Sequence, residues 1–201
     1  MAAPRRDFLA GQLLIAMPNM ADPRFERTVL LTVSHDEDHA MAVIVNKPVA
    51  EVTMGELLEK LEVGASRAVK PDHVFFGGPV HTELGLVLHS LDYRIEETLE
   101  ITPGVGLTAT REILVDIGGR DRLRPAPKHY MLAIGYAGWT GGQLEDELAM
   151  NAWAHCAADE HIIFAADPSR SWGKALERLG VTGAMLSPEW AAARPYDAPL
   201  N

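Results

Sequence analysis

The stretch from 129 to 148, HYMLAIGYAGWTGGQLEDEL, most limits what this chain can fold into. An apolar run long enough for a strand closes in glycines around Trp139, then gives way to an acidic segment with helical spacing. Strand, tight corner and helix N-terminus are therefore expected in succession. Two physical causes produce such a corner. Backbone amides at a helix N-terminus can cradle an anion, or glycines can let main chain approach a bulky ring. The order G-Y-A-G-W-T-G-G lacks both the P-loop lysine and the dinucleotide G-x-G-x-x-G spacing. Glu145, Asp146 and Glu147 already complement the positive helix end and would repel a phosphate. The backbone reading is preferred: Gly138 and Gly141 bend the chain around Trp139, and Thr140 with Gln143 has capping-box spacing. Leu144, Leu148, Ala152 and Cys156 make an apolar stripe on a helix expected over 143–157.

Elsewhere, β-rich runs at 27–34 and 41–46 flank the polar turn HDEDHA and read as an antiparallel hairpin. A short strand is expected at 13–16, followed by a loop holding Pro18, Asn19 and Pro23. Thr53 and Glu56 form a capping box for a helix over 54–61. Strands follow at 73–76 and 84–89, joined through the turn GGPV. Thr110 is placed to cap a helix through Ile117 that Gly118 stops. The run 130–136 is a strand, 161–166 the last strand, and a helix runs after Pro168 to about Leu179, with Gly180 as its stop. Hairpins outnumber βαβ units, which favours α+β with a mixed sheet over a doubly wound one.

With 201 residues, 47% hydrophobic and 23% charged, the chain suits a single domain, 1–201, with no composition shift to mark a boundary. No apolar run approaches the roughly 20 residues that cross a bilayer, so no membrane association is expected. The N-terminal MAAPRRDFLAGQLL does not read as a signal peptide, and the single Cys156 fits a reducing compartment; the cytoplasm is the expected location. A net charge of −10 disfavours direct DNA binding, since phosphates are neutralised by clustered lysine and arginine. The densest basic stretch, Arg120, Arg122, Arg124 and Lys128, is interrupted by Asp121 and two prolines.

Reactive constellations are few. His35 and His39 are four apart, a zinc-binding spacing on a helix, but here they flank a hairpin turn and read as solvated. No metal and no cofactor is expected. His81 and His89 lie near one hairpin, where either would serve as a general base. No G-x-S-x-G elbow accompanies them and Ser90 has no evident acid partner, so a hydrogen-bonded structural imidazole is preferred. Cys156 reads as an inert buried thiol.

The segments GQLLIAMPNMADPRFERTVLLTVSH, AMAVIVNKP, FFGGPV, GLVLHS, GYAGW and GGQLEDEL, with SWGKALERLGV and MLS near the end, together resemble the AlgH/YqgE family over about 11–187. The resemblance implies a single α+β domain whose mixed, bifurcated β-sheet has a barrel-like part flanked by helices. The family carries the label of transcriptional regulator from a link to alginate control, and it brings no established catalytic or binding residue. Motif positions that carry over are Pro18, Asp22, His35, Asn46, Gly77, Gly78, Pro79, His89, Gly138, Trp139, Gln143 and Glu147. Asn19, His39 and Ala42 stand where relatives usually have glycine, which puts the usual turn geometry in question there.

The leading functional expectation is a non-enzymatic binding or regulatory module for a small molecule or protein partner. Its focal surface would combine the GYAGW corner, the GGPV turn and the Pro18–Asp22 loop, with Asp22, Asn46 and Gln143 supplying hydrogen bonds around Trp139. Two other classes compete. A hydrolase would pair His35 or His89 with Asp22 or Glu147 as acid and base, and a DNA reader would show salt-dependent binding.

Overall fold

The computed structural model describes residues 8–63, 73–118 and 122–181. The readings made on the N-terminal MAAPRRD, on Arg120 and Asp121, and on the MLS segment lie outside the described residues.

Five strands build one half of the sheet: β1 (Gln12–Ala16), β2 (Val29–His35), β3 (His39–Ile44), the long β9 (Tyr130–Thr140) and β10 (Trp153–Ala157). The other half holds β4 (Pro48–Thr53), β5 (His73–Phe76), β6 (Val80–Ser90), β7 (Leu99–Thr102) and β8 (Val105–Thr108). The strand order is β10-β1-β2-β3-β9-β6-β8-β7, with β4 and β5 branching off. Among the described residues every pairing is antiparallel except β5 on β9.

The branch point is β9. Its N-terminal half pairs in parallel with β5 through Val74↔Leu132 and Phe76↔Ile134, and its C-terminal half pairs antiparallel with β3 through Ala42↔Ala137 and His39↔Thr140. The hand-over is sealed where Ile44 donates its N–H to the Gly77 carbonyl at 2.9 Å and Gly77 donates to that of Ile134 at 2.8 Å. Gly135, at φ +72°, adds a left-handed residue at this point and shifts the side-chain alternation by one. Before it, Met131 and Ala133 face the inner core; after it, Tyr136 does. The mixed, bifurcated sheet expected from the family is what the chain forms.

Both faces of the sheet are covered, which is why β1 and β2 are almost unbroken apolar runs. Leu13, Ile15, Val29 and Leu31 pack inward with Trp172, Ala175 and Leu176 of α5 (Ser171–Arg178) and Ile162 of α4 (Glu160–Ile163). On the outer face, Leu14, Leu30 and Ile44 pack with Trp139, Trp153 and Leu144 of α3 (Gln143–Ala149). Alongside, Val74, Val87 and Leu132 meet Met54 and Leu58 of α1 (Met54–Lys60) and Ile113 of α2 (Arg111–Gly118). Truncating any one of the fully buried leucines to alanine costs about 2–5 kcal/mol.

The 27–46 hairpin and the Thr53–Glu56 capping box form as expected. Asn19 is not left-handed, His39 pairs with Thr140, and Ala42 pairs with Thr32 and Ala137 beside a bulge in β2, so none of the three needs the backbone freedom of glycine. Four expectations are corrected. The helix expected over 143–157 stops at Ala149, because Asn151 takes a left-handed turn (φ 56°) and residues from Trp153 pair with β1. Cys156 therefore lies on a strand, half-buried, its thiol pKa pushed up by desolvation. The expected strand at 161–166 is the short helix α4, capped by the Asp159 carboxylate accepting the His161 N–H. Thr110 precedes α2, but its buried hydroxyl makes no hydrogen bond and so caps nothing. Finally, GYAGWT belongs to β9 rather than to a turn, and the corner is confined to Gly141 and Gly142.

Candidate functional site

The glycines of the corner have a different physical cause from wrapping an indole. A Cβ on Gly77 would lie 2.2 Å from the Gly135 carbonyl oxygen, and one on Gly78 would lie 2.1 Å from the Tyr136 carbonyl carbon. The GGPV and GYAG motifs are thus two halves of one backbone-on-backbone contact. A Cβ on Gly141 would strike the Glu37 carbonyl oxygen at 2.5 Å, so this residue seats the hairpin tip. Gly138 has no such neighbour: its nearest contact would be 3.5 Å away.

This packing delivers Trp139 to the start of α3. Gly142, left-handed at φ 81°, is the N-cap without a side-chain bond, so the expected capping box is only half made. Gln143 Oε1 accepts from the Thr140 N–H (3.2 Å) and hydroxyl (3.3 Å), and Gln143 Nε2 donates to Glu147 Oε1 at 2.9 Å. Glu147 Oε2 accepts from two indoles, Trp139 Nε1 at 2.9 Å and Trp153 Nε1 at 2.7 Å. The rings meet edge to face at 5.9 Å, and Phe25 stands edge-on to Trp153 at 5.6 Å. One half-buried carboxylate therefore fixes two aromatic side chains from different strands.

The facing wall is the segment after β1. Asp22 accepts the Arg24 N–H at 2.9 Å and binds its guanidinium through Nε and Nη2, at 3.1 and 2.7 Å. That charged hydrogen bond holds the Asp22 carboxyl below its ordinary pKa. Lys47, buried in its stem, donates to the carbonyls of Arg24 (2.7 Å) and Pro23 (3.4 Å), tying the wall to the sheet. Burial lowers the Lys47 pKa.

Between these walls lies a cleft of about 650 Å³. Asn19, Met20 and Asp22 line one side, Pro79 and Val80 a second, and Trp139, Gln143 and Glu147 the floor. Phe25, Met150 and Trp153 complete it. Asp22, Pro79, Gly138, Trp139, Gln143 and Glu147 are thus brought together from motifs more than a hundred positions apart. Pro18 lies in the loop but does not line the cleft, and Gly77 and Gly78 act behind it through backbone contact. Asn46 does not reach it at all: its side chain accepts the Val29 N–H (2.8 Å) and donates to the Arg27 carbonyl (2.9 Å), pinning β2 to β3. Phe25, Met20, Lys47 and Trp153 escaped the sequence reading. Asn151, a residue type that tolerates the left-handed turn it adopts here, was a local signal that the helix ends before Trp153.

The histidines stand apart from this cleft. His35 Nδ1 accepts the Leu9 N–H at 3.0 Å, Nε2 faces Glu145 at 3.4 Å, and Phe8 packs edge-on at 5.3 Å, so the ring anchors the N-terminal segment. His89 is fully enclosed. Its Nδ1 donates to the Ser90 carbonyl (3.1 Å), which leaves Nε2 to accept from the Thr108 hydroxyl at 2.9 Å. Desolvation lowers its pKa. Ser90 does have an acid partner, contrary to expectation, but it donates directly to Asp92, and the His89 ring bonds elsewhere. His81, left-handed at φ 49°, is exposed beside Glu83 at 2.8 Å and stacked on Tyr136. His39 is exposed and pairs with Asp36 at 3.0 Å. Among the described residues no three His, Cys, Asp or Glu side chains cluster as a metal site would need, and no helix is long and apolar enough to cross a membrane.

Comparison with known proteins places this geometry. An AlgH-like family pattern matches residues 13–184. A UPF0301 protein of Caulobacter vibrioides is 46% identical over 182 residues, covering 90% of this chain and 92% of that protein. Another, from Rhodopseudomonas palustris, is 46% identical over 191 residues, covering 91% and 86%. The solution structure of the AlgH protein from Pseudomonas aeruginosa superposes with a TM-score of 0.73 at 35% identity, covering 94% of this chain and 96% of that one. A crystal structure from Corynebacterium diphtheriae shares the fold at a TM-score of 0.69 and 19% identity, covering 88% and 90%. The chain belongs to the AlgH-like family.

Proposed function

We propose that this protein is a non-enzymatic binding module of the cytoplasm, and that the cleft floored by Glu147 receives its ligand or partner. The observation that carries the reading is the convergence of three separate segments on one concavity with fixed aromatic side chains. Such mostly apolar concavities with a few convergent polar groups are where ligands bind. The single cysteine supports a reducing compartment.

The hydrolase alternative draws less support. No histidine lines the cleft, His35 meets Glu145 rather than Glu147, and His89 is engaged within the core. A histidine–carboxylate pair can act only with its histidine within reach of a substrate proton. Direct contact with DNA is equally unsupported: the net charge is −10, and Arg124 of the basic stretch is paired with Glu112. Any regulatory effect in this reading follows from occupancy of the cleft.

The test is to plug the cleft. Ala21 is exposed and lines it, so Ala21→Trp fills the space without disturbing the core. Metabolites are screened by thermal shift, and lysate proteins by capture, on both forms. Binding that is present in the parent and lost in Ala21→Trp, at unchanged melting temperature, supports the reading. Binding unaffected by the plug, or no binding at all, ends it.

A further inference from the structure

We propose that the cleft takes an organic cation, an ammonium group carried on a small apolar body, with Glu147 as its counter-charge. The inference rests on the preceding reading of the cleft as a binding site and adds its chemical class.

The first support is the charge balance. Asp22 is neutralised by the bidentate guanidinium of Arg24. Glu147 is half-buried and bonded to three neutral N–H donors, and among the described residues no lysine, arginine or histidine pairs with it. The cleft therefore carries one uncompensated negative charge at its floor. An incoming anion would meet that charge with the nearby guanidinium already engaged. An incoming cation would supply the opposite charge that three neutral donors leave missing.

The second support is the ring chemistry. Aromatic faces are electron-rich and attract cations within about 6 Å. Both indoles point their positive N–H edges at the Glu147 oxygen, and donation to an anion leaves the rings richer in electron density. Phe25 already holds a cation over its ring, the Arg24 guanidinium at 5.9 Å, and the polarisable thioethers of Met20 and Met150 also line the cleft. A chain of net charge −10 also raises the local concentration of cations.

The experiment follows the indole N–H resonances of Trp139 and Trp153 by NMR on the full chain at constant ionic strength. Trp172, whose indole bonds the Ala16 carbonyl away from the cleft, is the internal reference. Tetramethylammonium and butylammonium are titrated against two comparators of similar shape, tert-butanol (neutral) and pivalate (anionic). Saturable shifts at both indoles are expected for the cations in the millimolar range, with each comparator at least tenfold weaker. Glu147→Gln keeps the shape and an acceptor for the indoles but should weaken the cations at least tenfold. Met150→Arg, at a position 65% exposed, leaves the fold intact and should weaken them several-fold by repulsion. A short lysine peptide binding tighter than butylammonium identifies the source of the cation as a protein side chain; weaker binding identifies a free amine. Equal or better binding of tert-butanol or pivalate overturns the cation assignment while leaving the cleft a binding site. Cation binding unchanged in both variants, or no saturable shift with either cation, also overturns it.

Discussion

Gly78→Ala tests the claim that two glycine motifs form one backbone contact. At Gly78 (φ +151°) a Cβ would sit 2.1 Å from the Tyr136 carbonyl carbon and 2.3 Å from the Ala137 nitrogen. Carbon atoms rest at about 3.5–4.0 Å, and the obstacle is main chain, which cannot rotate aside as a side chain would. Relief requires β9 to move away by more than an ångström, which strains the Ile44–Gly77 and Gly77–Ile134 hydrogen bonds at the branch point. Overpacking costs about 1–3 kcal/mol, and a backbone conformation natural only to glycine about 1–3 more. A loss of about 3–5 kcal/mol is expected, or a melting temperature lower by roughly 10 °C. Urea unfolding followed by tryptophan fluorescence measures it. Two controls separate space from backbone. Gly138→Ala, with its nearest neighbour at 3.5 Å in a regular strand, should be neutral or stabilise by up to about 1 kcal/mol. Gly142→Ala, in open space but left-handed, should cost about 1–2 kcal/mol. The reasoning is refuted if Gly78→Ala costs less than about 1 kcal/mol, or no more than Gly138→Ala.

Trp153→Phe removes an indole N–H bonded to Glu147 at 2.7 Å and, in a double-mutant cycle with Glu147→Gln, should couple by about 1–2 kcal/mol; additive unfolding energies would show the bond to be idle. His89 has its folded-state pKa lowered by burial, so the unfolded chain binds the extra proton first and stability should be complete above about pH 6.5 and fall as pH drops below it. Urea midpoints between pH 5 and 8 should show this slope flattened in His89→Gln; an unchanged slope would assign the dependence to other groups.

How far the residues announced the fold depends on whether local and tertiary preferences agreed. The hairpin around HDEDHA and the Thr53–Glu56 box were readable because β-branched runs and a capping pair are local signals. Trp153–Ala157 was misread because Leu144, Leu148, Ala152 and Cys156 keep a four-residue spacing that pairing with β1 overrides. Ile162 and Ile163 favour a strand by propensity, yet Asp159 caps them into a helix. At the site, Trp139, Gln143 and Glu147 were legible because a helix turn separates the last two. Phe25 and Trp153 were not, since only the folded sheet brings them within one ring's width of each other. The reason for the glycines was equally hidden, because a contact between residues 78 and 136 leaves no local trace.

The left-handed Gly135 leaves the two halves of β9 out of phase by one residue. Losing or gaining a single residue on either side of it would turn half of the strand inside out, exchanging lipophilic and outward positions against neighbours already locked in place. Natural variation in length should therefore be frozen between Tyr130 and Thr140, so an alignment of relatives would locate the spine of this fold by where gaps never fall.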